Sequence, residues 1–194
     1  SYGKDSGSFD VTDQEMTPEK IVDTAIDSNL QIISITDHNE ILNSKAAIDY
    51  AEGKDLLVVP GIEVSTTQGH LLVYFPSFQE LRSFHWKLTI SEDKERCSQG
   101  IVECLNLASQ SNGFGILAHI ELDSGFEKTV VRFNSQMDDI FCHPALLALE
   151  ISKKGSYEFY TDEDADSNRL ALVKERRKRL NHHEDVILPK VMSS

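Results

Sequence analysis

Cysteine, basic charge and long apolar runs are all scarce in this chain. Its 194 residues include three cysteines, Cys97, Cys104 and Cys142, with no CxxC pair. An odd, widely spaced set excludes a disulfide framework or a thiolate zinc knot as the organising feature and points to a reducing, cytoplasmic setting. Cys97 and Cys104 are expected on one helix as small buried apolar residues. No apolar run approaches the roughly 18 residues that a membrane span needs. The opening SYGKDSGSFDVTD has neither the basic nor the apolar part of a signal peptide and lacks an initiator methionine, so a piece of a longer chain is expected. The absence of GxGxxG, Walker A and GxSxG sequences argues against P-loop nucleotide binding and a serine nucleophile in this segment. Lys and Arg number 19 against 32 Asp and Glu, a net charge of −13. That balance excludes a surface that is a nucleic-acid footprint throughout, though a local basic patch stays open. Acids gathered around cations would also raise the acidic count.

What is present suits a globular protein: 40% hydrophobic and 26% charged residues. The length can bury one substantial core, so a single domain over 1–194 is expected. Thr17-Pro18-Glu19 reads as a helix start, followed by Ile21, Val22, Ala25 and Ile26 at helical spacing. A strand is expected over 31–36, a helix over about 41–51 ending at Gly53, and a strand over 56–59 covered on both faces. A hairpin follows, 62–65 with 70–75. A helix over about 95–109 ends at Asn112-Gly113, and the strand 114–118 leads into His119. Further helices are expected near 126–141 and 163–180, with strands at 146–151 and 186–188. Strands alternate with helices throughout, which predicts an α/β class with a mostly parallel sheet.

In such folds functional groups gather at the C-terminal ends of strands. The 31–36 strand ends in Asp37 and His38, the 56–59 strand runs on to Glu63, and the 114–118 strand ends in His119. His70 joins them through the hairpin. A tip at Thr66-Thr67 sets Glu63 opposite His70, and a turn centred on Gln68-Gly69 sets Thr67 there instead. Either register brings Glu63 and His70 to one face. A lone histidine after a strand is more often structural than a ligand, and Asp37 can serve as a helix cap. Four such residues on one rim are harder to explain that way. Imidazoles and carboxylates without thiolates favour Zn, Mn or Fe.

Thr36-Asp37-His38-Asn39, Pro60-Gly61-Ile62-Glu63-Val64-Ser65, His70-Leu71-Leu72 and Leu117-Ala118-His119 resemble successive motifs of the PHP (polymerase and histidinol phosphatase) family. The order and the intervening βα units match over nearly the whole chain; no single motif is decisive, but the series is fairly specific. The resemblance implies a distorted (β/α)7 barrel, incomplete at both ends here, with a centre of two or three divalent ions that hydrolyses phosphoesters by a metal-bound hydroxide. It implies His38, Glu63, His70 and His119 as metal ligands, with Asp37 beside His38 as the catalytic pair or as an orienting neighbour. Ala118-His119-Ile120 has isoleucine where many relatives have proline. It is closer to PHP domains attached to SMC-like or AAA-like ATPases, the TrlF type. That implies an ATPase domain or subunit as partner and nucleotides or nucleic acid as substrate.

Two family motifs are missing. The family opens on a strand with HxH, whereas the first histidine here is His38. A late DxH is also absent, since the sequence stops at Val191-Met192-Ser193-Ser194. The basic run 174–179 reads as a solvated helix face balanced by the acids at 162–166, or as a phosphate contact. Adjacent His182 and His183 point apart and make a poor chelating pair, and His85 and His143 read as surface or packing residues. Two rivals stand beside the enzyme: a degenerate domain serving as a regulatory or interaction module, and an unrelated α/β metallohydrolase acting on amides. Sequencing the flanks of the native chain separates the first two. HxH before Ser1 and DxH after Ser194 are expected for the enzyme, and the absence of both for the module.

Overall fold

The computed structural model describes residues 16–130, 135–181 and 187–192. In chain order the elements are α1 (Pro18–Asp27), β1 (Ile32–Ile33), α2 (Leu42–Tyr50), β2 (Leu57–Val58), β3 (Gly61–Thr66), β4 (Gly69–Tyr74), α3 (Phe78–His85), α4 (Ile101–Ser109), β5 (Phe114–Leu117), α5 (Phe126–Thr129), α6 (Ser135–Phe141), β6 (Leu146–Ile151), α7 (Ser167–Arg179) and β7 (Lys190–Met192). As expected, Thr17 caps α1, its hydroxyl accepting from the Lys20 amide, with Pro18 in the first turn.

The strands form a pair, β1-β2, and a five-stranded sheet ordered β3-β4-β5-β6-β7. The pair and the sheet are continuous in register. β1 pairs parallel with β2 through Ile32↔Leu57, and the same 25-residue separation recurs at the bridge His38↔Glu63. Between them the Ser34 hydroxyl donates to the Val59 carbonyl at 2.7 Å. Gly61 sits where the two lines come closest: a Cβ there would lie 2.6 Å from Ser34 Oγ and 2.9 Å from Thr36 Cγ2.

Only β4 runs against the rest. It is antiparallel to β3 and β5, while β5-β6 and β6-β7 are parallel. The predicted parallel sheet is thus mixed, because a tight hairpin reverses one strand. The hairpin takes neither expected register. Ser65 faces His70 and Thr66 faces Gly69, which turns at φ +111°. Among the described residues the sheet is open, without the ring closure of a (β/α)7 barrel.

The main core lies between this sheet and α3, α4, α6 and α7, with Ile62, Leu71, Leu117, Leu149, Phe84, Leu105, Phe141 and Leu172 buried together. A smaller cluster, including Val22, Ala25, Ile35, Ala47 and Val58, joins α1 and α2 to β1 and β2. Those helices cover one face of the pair only. Ile32 and Leu57 are about 60% exposed, at 62% and 58%, so the 56–59 strand is not covered on both faces.

Several boundaries differ from expectation. The helix expected from 95 starts at Ile101, because residues 90–98 pair elsewhere: Ile90 bridges Cys97, and the Cys97 amide donates to the Ser65 carbonyl at 2.8 Å. Cys97 is therefore buried ahead of the helix that carries Cys104. α3 was not anticipated, although Ser77-Phe78-Gln79-Glu80 is a capping box, with Ser77 Oγ accepting from the Glu80 amide. The helix near 126–141 is two short ones within the described residues. The last strand lies at Lys190–Met192, beyond Ile187 and Leu188; Val186, His182 and His183 lie outside the described residues. Among the described residues no helix is long and apolar enough to cross a membrane.

Two members of the basic run are interior. Arg176 is buried and donates to the carbonyls of Phe141, His143 and Leu146, while Arg177 forks onto Asp162 with two bonds of 2.8 Å. Arg176 thus ties α7 to α6 and β6, whereas Arg177 is balanced by Asp162 of the acidic patch, and Lys174, Lys178 and Arg179 remain on the exposed face. Arg169 is buried likewise, bidentate to Asp164 and 3.2 Å from Glu127. Burial opposes ionisation of Asp164, but Arg169 and the amides of Asp166 and Tyr160 outweigh it and hold the carboxyl below its ordinary range. Asp164→Asn is expected to destabilise by about 3 kcal/mol, because it leaves a buried guanidinium underpaired. The stabilisation is fully present above the unfolded carboxyl pKa of about 4 and is lost as pH falls through the lower folded value. Urea unfolding of both proteins should therefore show a gap at pH 7 that narrows in acid.

Candidate metal centre

The reversed β4 decides the geometry. The other strands bring their C-terminal ends to one rim, and β4 brings its beginning there. His38 follows β1, Glu63 lies in β3, His70 stands near the start of β4 and His119 follows β5. Glu63 and Ser65 share a face, and Ser65 is directly opposite His70, so Glu63 and His70 are diagonal neighbours. The expected juxtaposition holds in a third register, because all three shift the pairing by an even number of residues.

One ligand atom each from His38, Glu63 and His70 lies within 4.8 Å of the others. His70 Nδ1 is 3.1 Å and His38 Nε2 3.7 Å from Glu63 Oε1. His38 Nδ1 is 2.9 Å from Ser65 Oγ, which occupies that nitrogen and leaves Nε2 toward Glu63. The three imidazoles stand in a row, edge to face, with centroids 4.8 Å apart for His38–His70 and 5.1 Å for His70–His119.

His119 is held from its backbone. Its amide donates to Glu150 Oε2 at 2.9 Å, and its Nδ1 is 3.4 Å from the same oxygen. Its φ of 28° lies in a region that side-chain-bearing residues rarely occupy. Asn39, at φ 54°, tolerates that region better and repays it with contacts: its Oδ1 accepts from the Ser65 amide and its Nδ2 donates to the Lys94 carbonyl.

Charge is focused here. Burial disfavours the Glu63 carboxylate, but the His70 hydrogen bond and the charges of His38, His70 and His119 outweigh it, and its pKa is lowered. Burial also opposes protonation of His119, yet Glu150, Glu63 and Glu121 raise its pKa. Tyr74 is pushed up to about 12, by burial first and then by Glu150 and Glu63, so at neutral pH it is a phenol.

Asp37 is not a member of that group of three. Its carboxylate accepts from Asn43 Nδ2 at 2.6 Å and its carbonyl from the Glu63 amide. The N-cap of α2 is Ile41, without a side-chain cap bond, and Glu40 Oε1 accepts from the Ile41 and Leu42 amides. Sequence reasoning missed Glu150, although an acid inside the apolar run Leu146–Ile151 was a visible anomaly. His85, read as a surface or packing residue, reaches the Asn39 carbonyl at 3.2 Å.

The donor set fits a divalent cation. It is made of imidazole and carboxylate, and among the described residues His119 Nε2 is buried with no hydrogen-bond partner. A buried orphan of that kind costs about 1–3 kcal/mol, which a bound cation would offset.

Solved structures share this fold. Endonuclease Q of Pyrococcus furiosus, a lesion-specific endonuclease, aligns over 76% of this chain at 18% identity with a TM-score of 0.60. Endonuclease Q bound to a 27-mer duplex with an abasic lesion at its active site aligns over 78% at 16% identity and 0.56. The chain spans 40% of the length of each. A Bifidobacterium adolescentis protein, a candidate metal-dependent phosphoesterase, aligns over 84% of this chain and 78% of its own at 14% identity, with a TM-score of only 0.47. No protein-family model and no curated protein matches the chain.

Ser65→Ala removes the group that fixes the His38 ring. Metal affinity, measured by competition with a chelator, is expected to fall about 10–100-fold with the fold intact.

Proposed function

We propose that this chain is the catalytic part of a PHP-type, metal-dependent phosphoesterase acting on nucleotides or nucleic acid. The observation that carries the proposal is the convergence of His38, Glu63 and His70 within 4.8 Å, with the unpartnered Nε2 of His119 in the adjoining ring. The open sheet is read as most of a distorted (β/α)7 barrel. Similarity of fold to an endonuclease seen with a DNA duplex supports testing nucleic acid first.

In this reading His38, Glu63, His70 and His119 hold divalent ions, which would supply positive charge to phosphoryl oxygens and acidify an attacking water. Ser65 sets the His38 ring, and Glu150 sets His119 through both its amide and its ring. Asp37 acts through the chain: its carbonyl fixes the Glu63 amide, and Asn43 donates to its carboxylate. Tyr74 remains a phenol, whose hydroxyl can donate or accept a hydrogen bond but cannot serve as a phenolate base at neutral pH.

The full-length protein loaded with manganese or zinc should hydrolyse single-stranded DNA, RNA or nucleotides. His38→Ala and Glu63→Ala should each lower the rate by more than about 100-fold, the upper range for residues that merely orient ligands. Undiminished hydrolysis in either variant would overturn the assignment. A chelator should abolish activity, and added metal should restore it.

A further inference from the structure

A cavity of about 620 Å³, a size typical of small-molecule sites, is lined in part by Glu121, two residues after His119. Its lining includes Glu121, Val130, Lys153, Ser156, Phe159 and Arg169. The cavity and the centre share two chain crossings. Glu121 follows His119 by two residues, and its Oε1 accepts from the amides of Ser152 and Lys153, at 2.7 and 2.9 Å. Those residues are the second and third after Glu150, which holds His119.

Glu121 is thereby locked in place by one oxygen. The other, Oε2, is buried and has no hydrogen-bond partner among the described residues. A carboxylate oxygen accepts and cannot donate, so its complement is an N–H or O–H group. Phe159 supplies a fixed aromatic wall. The Arg169 guanidinium lies 3.8 Å from its ring centroid and is itself paired by Asp164 and Glu127. Arg169 therefore stiffens the wall and is not available as an anion site. Exposed Lys153 stands at the rim, three residues beyond Glu150.

We propose that this cavity binds the nucleobase next to the scissile phosphate, and that Glu121 selects bases carrying an exocyclic amine. The ring lies along Phe159 and Val130, the amine donates to Glu121 Oε2, and Lys153 faces the phosphate. Adenine and cytosine present such a donor; uracil presents the O4 carbonyl oxygen at the equivalent edge, which a carboxylate repels. The position of the phosphate rests on the phosphoesterase reading, whereas the choice of base rests on the cavity alone.

The test is calorimetric titration of the metal-free, full-length protein with adenosine, cytidine and uridine 5′-monophosphates. The first two are expected to bind about tenfold more tightly than the third, the effect of one buried acceptor satisfied or not. Glu121→Gln should bring that ratio near one, because a carboxamide also donates, and Phe159→Ala should weaken all three together. Equal wild-type affinities, or a ratio unchanged in Glu121→Gln, overturn the inference. Should Glu121→Gln fail to fold, the wild-type ratio and Phe159→Ala still decide. Manganese-dependent hydrolysis of bis(p-nitrophenyl) phosphate alongside base-blind binding rejects the cavity and leaves the enzyme standing. Amine-selective binding without hydrolysis rejects the enzyme and leaves the cavity.

Discussion

The rest of the structure depends on the parallel pairing of segment 31–39 with segment 57–63, held at a single offset of 25 residues. It begins as an ordinary two-residue ladder, is carried across a break by the Ser34 hydroxyl, and resumes as a bridge at His38 and Glu63. A slip of one residue would turn His38 away from Glu63, since side chains alternate faces along an extended chain. Glycine at position 61 lets the two lines approach where the regular ladder lapses. The Asn39 side chain completes the joint by binding the Ser65 amide. Site and scaffold are here the same hydrogen bonds.

Much of this was legible beforehand. The apolar runs marked the strands, Thr17-Pro18 marked α1, and the polar residues after the runs marked the rim. Parity made the Glu63–His70 pairing readable without knowing the turn. What escaped depended on tertiary pairing. Residues 95–100 have a helix-like composition, but Ser65 and Thr89 claim their amides. Within the basic run Arg176 escaped, because composition cannot show that it finds three carbonyls inside. Glu150 lies inside its apolar run, whereas His38 and His119 follow theirs, and only the fold shows that its carboxylate reaches the His119 amide.

Buried charge is treated in two ways. In the α7 region Arg169 and Arg177 are matched by forked carboxylates, and Arg176 by carbonyls. On the rim the matching is incomplete: His119 Nε2 and Glu121 Oε2 are enclosed without partners. Packed interiors rarely tolerate such orphans, and the two on the rim lie within two residues of each other, where a ligand could satisfy both.

The offset of 25 residues also bears on how the molecule assembles. His38 and Glu63 meet only after the chain between them, with all of α2, has been closed into a loop, and His119 meets Glu150 across another 31 residues. Contacts this distant along the chain form late and against loop entropy. No short segment of the unfolded chain can present the donor set in miniature. Occupancy of the centre is thus a report on the whole topology, and an ion bound there would act as a clasp on the folded state.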